Sequence, residues 1–174
     1  IRKTVNEDLA ENIWEPKHMD KIIPSLLFNM QSDKNYGYRM GRDTPDLGGD
    51  GNVVSPSKLA DQLLRELVQA ASFSTVRSIL TPVLRHIDHH LLWNDPFATH
   101  VFEAIMYSIQ GDLSYIVIEK VMNHLDKVSD PNRKGSIAKV LSKIIGIGVG
   151  DATVGPSVLE IINALLKHLR KSVE

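Results

Sequence analysis

The sequence of 174 residues contains no cysteine, which excludes disulfides, cysteine-ligated zinc, iron–sulfur clusters and thiol catalysis together. A thiol-free composition suits a reducing compartment without requiring one. It also lacks net charge of either sign. A formal charge of -1 and a pI near 6.7 leave no global basic field of the kind a dedicated nucleic-acid binder carries. No apolar run approaches the roughly 20 residues that span a bilayer, and no signal-peptide pattern opens the chain. There is no initiator methionine before Ile1, so the chain is expected to be a fragment, with any N-terminal address or lipid anchor of its parent out of view. What is present is ordinary for a globular protein: 43% hydrophobic and 24% charged residues, in a length that buries a sizeable core without a disulfide or metal staple.

The dominant periodicity is helical. Leu59, Ala60, Leu63, Leu64, Leu67, Val68 and Ala71 recur at the spacing that places them on one helix face. So do Ala98, Val101, Phe102, Ile105, Met106 and Ile109, and again Ile137, Val140, Leu141, Ile144 and Ile145. Each segment opens with a small polar residue and a proline: Ser55-Pro56, Asp95-Pro96 and Asp130-Pro131. The polar side chain accepts hydrogen bonds from the first free N–H groups, and proline at the first helical position forfeits only an N–H that had no partner.

A second set of helices is expected near residues 16–31, 74–92, 113–127 and 156–171. Their ends align as Asn29-Met30-Gln31, His86-Ile87-Asp88, His124-Leu125-Asp126 and His168-Leu169-Arg170, at offsets of 57, 38 and 44 residues. A period near 40 with two helices per unit is the signature of HEAT or armadillo-like repeats, whose helix pairs bury their apolar faces only by stacking. The expected fold is therefore all-α: an armadillo/HEAT-like, right-handed helical-repeat superhelix of about three and a half helix pairs. It occupies residues 1–174 as one segment, with 32–55 as a flexible inserted loop rich in Gly, Asp and Asn. Pro24 and Pro82 fall inside second-set segments, where each either bends a helix or marks a helix start.

Motifs for chemistry are weak. His86-x-x-His89-His90 places His86 and His90 four apart, close enough to share an ion, with Asp88 facing elsewhere on the same helix; the plainer reading is a solvated helix end. The repeated column of His86, His124 and His168 argues for a structural role in each repeat, while His18 and His100 are scattered. Asp46-x-Gly48-x-Asp50-Gly51 touches the calcium-loop pattern but has Gly48 at its third position and Ser57 where a bidentate glutamate is needed. Gly146-Ile147-Gly148-Val149-Gly150 follows a helix instead of a strand and lacks Lys-Ser/Thr, so it reads as a flexible turn ending a helix. No Gly-x-Ser-x-Gly elbow occurs, and nothing singles out a Ser–His–acid set. Arg133, Lys134, Lys139 and Lys143 form a basic run on one helix, either a solvated face or a contact for acidic lipid or an acidic partner. No catalytic, cofactor-binding or metal-binding residue is assigned, and partner-binding residues stay open.

Several strings are specific. Arg2-Lys3-Thr4-Val5-Asn6, Ile13-Trp14-Glu15-Pro16, His18-Met19-Asp20-Lys21-Ile22 and Pro24-Ser25-Leu26-Leu27-Phe28-Asn29-Met30-Gln31 lead the chain. Asp88-His89-His90, Leu92-Trp93 and Met106-Tyr107-Ser108-Ile109-Gln110 follow. Gly155-Pro156, Val158-Leu159-Glu160, Leu165-Leu166-Lys167-His168-Leu169-Arg170 and Ser172-Val173-Glu174 close it. Together they resemble an animal member of the Rolling blackout, or Efr-three (Eighty-five-requiring three), family, across nearly the whole chain except 32–55. The resemblance implies a helical rod at the cytoplasmic face of the plasma membrane that performs no chemistry. It implies that the parent anchors the type III alpha phosphatidylinositol 4-kinase there, through a tetratricopeptide scaffold protein and hyccin, for phosphatidylinositol 4-phosphate synthesis. It further implies contact of the parent with acidic inner-leaflet lipids, an acylated cysteine cluster outside this chain, and no cofactor. The alternative expectation is a lipid acyl hydrolase with a Ser–His–acid site. Nucleic-acid binding is not expected from the near-neutral charge.

Overall fold

The computed structural model describes residues 11–34, 55–150 and 155–173. Among these residues there are seven α-helices and no strand: α1 (Pro16–Gln31), α2 (Pro56–Ala70), α3 (Val76–His89), α4 (Pro96–Ser108), α5 (Ser114–Lys127), α6 (Pro131–Gly150) and α7 (Gly155–Val173). Two short 3-10 turns, Glu11–Trp14 and Gly111–Leu113, precede α1 and α5.

The polar-proline starts behave as their chemistry requires. Ser55 Oγ accepts from the Lys58 N–H at 3.3 Å, Asp95 Oδ1 from the Phe97 N–H at 3.0 Å, and Asp130 Oδ1 from the Asn132 N–H at 3.2 Å. These three capped helices, α2, α4 and α6, pack in succession as one layer, while α1, α3, α5 and α7 form the second. Each helix meets the helix two along the chain, and α1 with α2, α5 with α6 and α6 with α7 close the layers onto each other. This is the helical-repeat arrangement that the 40-residue period predicts.

The core lies between the layers and is aliphatic around a few large side chains. Met19, Ile23, Leu27, Met30, Leu64, Leu67, Ile79, Phe102 and Ile105 are fully buried, each contributing on the order of 1.5–3 kcal/mol of transfer free energy. Helix α4, in the middle of its layer, buries Phe97, Ala98, Val101, Phe102, Ala104, Ile105 and Met106, more than one stripe, because it has neighbours on several sides. Pro24 and Pro82 lie inside α1 and α3 and start neither helix.

One expectation fails. The glycine run 146–150 is not a turn: α6 continues through Gly150. A β-carbon on Gly148 would lie 3.1 Å from Ile161 Cδ1, 3.2 Å from Ile118 Cδ1 and 3.3 Å from Met106 Cε. Gly148 is the point where α6 comes against α4, α5 and α7, and tertiary packing there overrides the poor helix propensity of glycine. Of the inserted loop, residues 35–54 lie outside the described residues, and with them the calcium-like string at Asp46 to Gly51. Its base is closed: Ser57 Oγ donates to Asp33 Oδ2 at 2.8 Å, joining the end of α1 to the start of α2.

A candidate docking surface on the second helix layer

The aligned ends of the second-layer helices come together in space. His86 Nε2 donates to Gln31 Oε1 of the preceding helix at 2.5 Å. His124 Nε2 lies 2.9 Å from Asp88 Oδ2, and His168 Nδ1 lies 3.3 Å from Asp126 Oδ2. Each histidine therefore reaches the side chain two positions beyond the corresponding residue in the previous repeat. The column is a ladder that ties α1 to α3, α3 to α5 and α5 to α7. The structural role expected for His86, His124 and His168 is what the geometry contains. Their partners Gln31, Asp88 and Asp126 share one column of the same alignment, but from sequence only Asp88 was singled out, and as a third metal ligand instead of a partner of His124.

Asp88 has a second partner. Trp93 Nε1 donates to its Oδ1 at 2.6 Å, and the indole stacks on His124 with ring centroids 5.7 Å apart and on Phe102 at 6.0 Å. The chain turns back to deliver Trp93 through a Schellman closure of α3: the Leu92 N–H bonds to Ile87 O at 3.0 Å and the Leu91 N–H to Asp88 O at 3.2 Å. Leu91 occupies the left-handed position of that motif, with φ 54°.

The histidine trio does not assemble a metal centre. His86 is buried, and its pKa is lowered from 6.5 to about 4 by desolvation first and by the neighbouring His90 and His89 second. Its ring is in van der Waals range of His90, with centroids 4.3 Å apart, but Nε2 is committed to Gln31 and Asp88 to Trp93 and His124. Among the described residues no group of three or more histidine and carboxylate side chains is placed to hold an ion. The solvated helix end expected here applies to His89 and His90, which are exposed, and not to His86.

Two open clefts run along the second layer. The first, about 300 Å³ between α3 and α5, is lined by Arg85, Asp88, Lys120, His124 and Lys127 with Leu84 beneath. The second, about 80 Å³ between α5 and α7, is lined by Glu119, Met122, Asn123, Lys167, His168 and Lys171. Neither carries a serine among its described lining residues, and the hydrolase alternative gains no support. These basic residues were missed in the sequence because they come from different helices.

The basic run on α6 divides. Lys139 and Lys143 line a broad groove of about 750 Å³ with Tyr107 and Gly146, whereas Arg133 and Lys134 do not. Lys143 Nζ also lies 3.6 Å from Glu103 Oε1 on α4, a carboxylate that is distant in sequence. Among the described residues no helix is long and apolar enough to cross a membrane.

Comparison with known proteins agrees with this architecture. The family model described as "EFR3, armadillo repeat" matches residues 1–174. "Protein EFR3 homolog cmp44E" of Drosophila melanogaster is 52% identical over 182 residues, covering 99% of this chain and 22% of that protein. "Protein EFR3 homolog A" of Homo sapiens is 45% identical over 177 residues, covering 100% of this chain and 21% of that protein. "Protein EFR3 homolog" of Caenorhabditis elegans is 43% identical over 189 residues, covering 100% and 22%. The chain thus spans about a fifth of the length of these relatives. No solved structure matches. On the whole-chain family match, the identities and the two-layered helical repeat, the chain belongs to the EFR3 armadillo-repeat family.

Proposed function

We propose that the chain is a stretch of a non-enzymatic, membrane-associated scaffold that helps recruit the type III alpha phosphatidylinositol 4-kinase to the cytoplasmic face of the plasma membrane for phosphatidylinositol 4-phosphate synthesis. The observation that carries the reading is membership of the EFR3 armadillo-repeat family along residues 1–174. The surface supports it: stacked helix pairs present extended open grooves, which suit protein docking better than enclosure of a small substrate. The partners in this reading are the kinase, reached through a tetratricopeptide scaffold protein and hyccin, and acidic inner-leaflet lipids for the parent protein. Nucleic acid is not among them.

The test is a pull-down with this chain and the full-length parent as parallel baits against the kinase, its tetratricopeptide scaffold and hyccin. Capture by the parent supports the scaffold reading. Capture by the chain as well assigns a docking site to these repeats, to be mapped by charge reversal along residues 133–143. Capture by neither bait contradicts it.

A further inference from the structure

The two clefts of the second layer are copies of each other. Counted from the ladder histidine of each helix, the later helix contributes positions -4, -1, 0 and +3: Lys120, Asn123, His124 and Lys127 in the first cleft, and Ala164, Lys167, His168 and Lys171 in the second. The earlier helix contributes the same register to both, with Leu84 then Met122 as the apolar floor. Asn123 lines both clefts, so they form one continuous track across α3, α5 and α7.

We propose that this track is a docking groove for an extended acidic peptide segment of a partner protein, with one carboxylate seated in each successive cleft. The inference does not depend on the recruitment reading. Charge carries it. Arg85, Lys120 and Lys127 face the first cleft against one carboxylate, Asp88, and Lys167 and Lys171 face the second against one, Glu119, so cations outnumber acids in each. Asp88 accepts from Trp93 and lies beside His124, Asp126 lies beside His168, and Asp20 pairs with Arg85 at 3.2 Å, so among the described residues Lys120 and Lys127 are the first-cleft cations left to an incoming carboxylate. Lys120 is held below the usual lysine pKa by desolvation first and by repulsion from Lys127 and Arg77 after it. An incoming carboxylate would relieve that repulsion.

The remaining chemistry selects a peptide. The Asn123 amide can donate and accept at once, as pairing with a peptide main chain requires. Packed helices are about 8–10 Å apart, and three residues of extended chain span about 10 Å, so acidic residues at every third position would meet successive clefts. Lys120 is half-buried between helices, where a flat bilayer surface reaches it poorly. Neither cleft has a described Phe, Tyr or Trp on which nucleic-acid bases could stack.

The experiment is an anisotropy titration of the 174-residue chain with a fluorescein-labelled peptide that carries glutamate at every third position between alanines and serines. A peptide of the same composition with its glutamates contiguous is the comparison, and phosphatidylserine vesicles are a third arm. The spaced peptide should bind more tightly than the contiguous one. The Lys120→Gln, Lys127→Glu double variant should weaken it at least about tenfold. Lys134→Glu with Lys139→Glu on α6, a larger change in net charge, should alter it by less than about twofold. Because Lys120 is partly buried, Lys127→Glu with Lys171→Glu, both on exposed side chains, repeats the test should the first variant unfold. Equal weakening by both variant sets overturns the proposal, as does equal affinity for the two peptides. So does vesicle binding that the groove variants abolish while the spaced peptide fails to bind.

Discussion

Single residues carry both the ladder and its strain. Leu91 holds a left-handed backbone conformation that favours glycine, and its side chain is 71% exposed, so little packing compensates. Leu91→Gly should therefore stabilise the chain by about 1 kcal/mol, read as a higher urea midpoint at unchanged slope. His86 makes a prediction about pH. Its folded pKa of about 4 lies below the unfolded value of 6.5, so above pH 6.5 it is neutral in both states and costs nothing. Between pH 6.5 and 4 the unfolded chain binds a proton that the folded chain refuses, and stability falls with the slope of one proton. The full loss is about 3 kcal/mol. Comparing urea unfolding of the parent chain and His86→Gln at pH 7.5 and 4.5 isolates this component. The variant should show a shallower loss, and parallel curves would contradict the burial argument.

At the scale of elements, α6 separates three glycines that look alike in sequence. Nothing lies within 4 Å of a β-carbon built on Gly146, whereas Gly148 meets three side chains below 3.4 Å. Gly146→Ala should stabilise by up to about 1 kcal/mol through helix propensity. Gly148→Val, too large for the approach of α4, α5 and α7, should destabilise by about 1–3 kcal/mol, with thermal unfolding of both variants as the check. The same contrast explains what was legible in the sequence. Helix starts at Pro56, Pro96 and Pro131 were readable because cap and proline act within one turn. The continuation of α6 was not, because Gly148 is explained by Met106, Ile118 and Ile161, residues on three other helices. The histidine column was visible as a repeat, but its partners needed the lateral offset between neighbouring helices. The grooves needed it too, since Arg85, Lys120 and Lys127 acquire a common cleft only when α3 lies beside α5.

At the scale of the molecule, each repeat finishes the burial of the one before it. Ile118 and Met122 of α5 are buried, while Ile162 and Leu166, at the same register on α7, are 45% and 48% exposed. With Leu159 and Leu169, also exposed, they make an apolar stripe. The isolated chain should self-associate through it, and Leu166→Lys with Leu169→Lys should restore a monomer in sedimentation across a range of concentrations.

The proposed role of the parent protein is scaffolding through a docking surface, without chemistry of its own. Its most direct measurement is the plasma-membrane fraction of the type III alpha phosphatidylinositol 4-kinase in cells before and after removal of the parent protein, alongside kinase activity in the lysate. If the parent recruits the kinase as proposed, the kinase leaves the membrane while its activity in the lysate is preserved. Retention of the kinase at the membrane, or a loss of catalytic activity with its location unchanged, would contradict it.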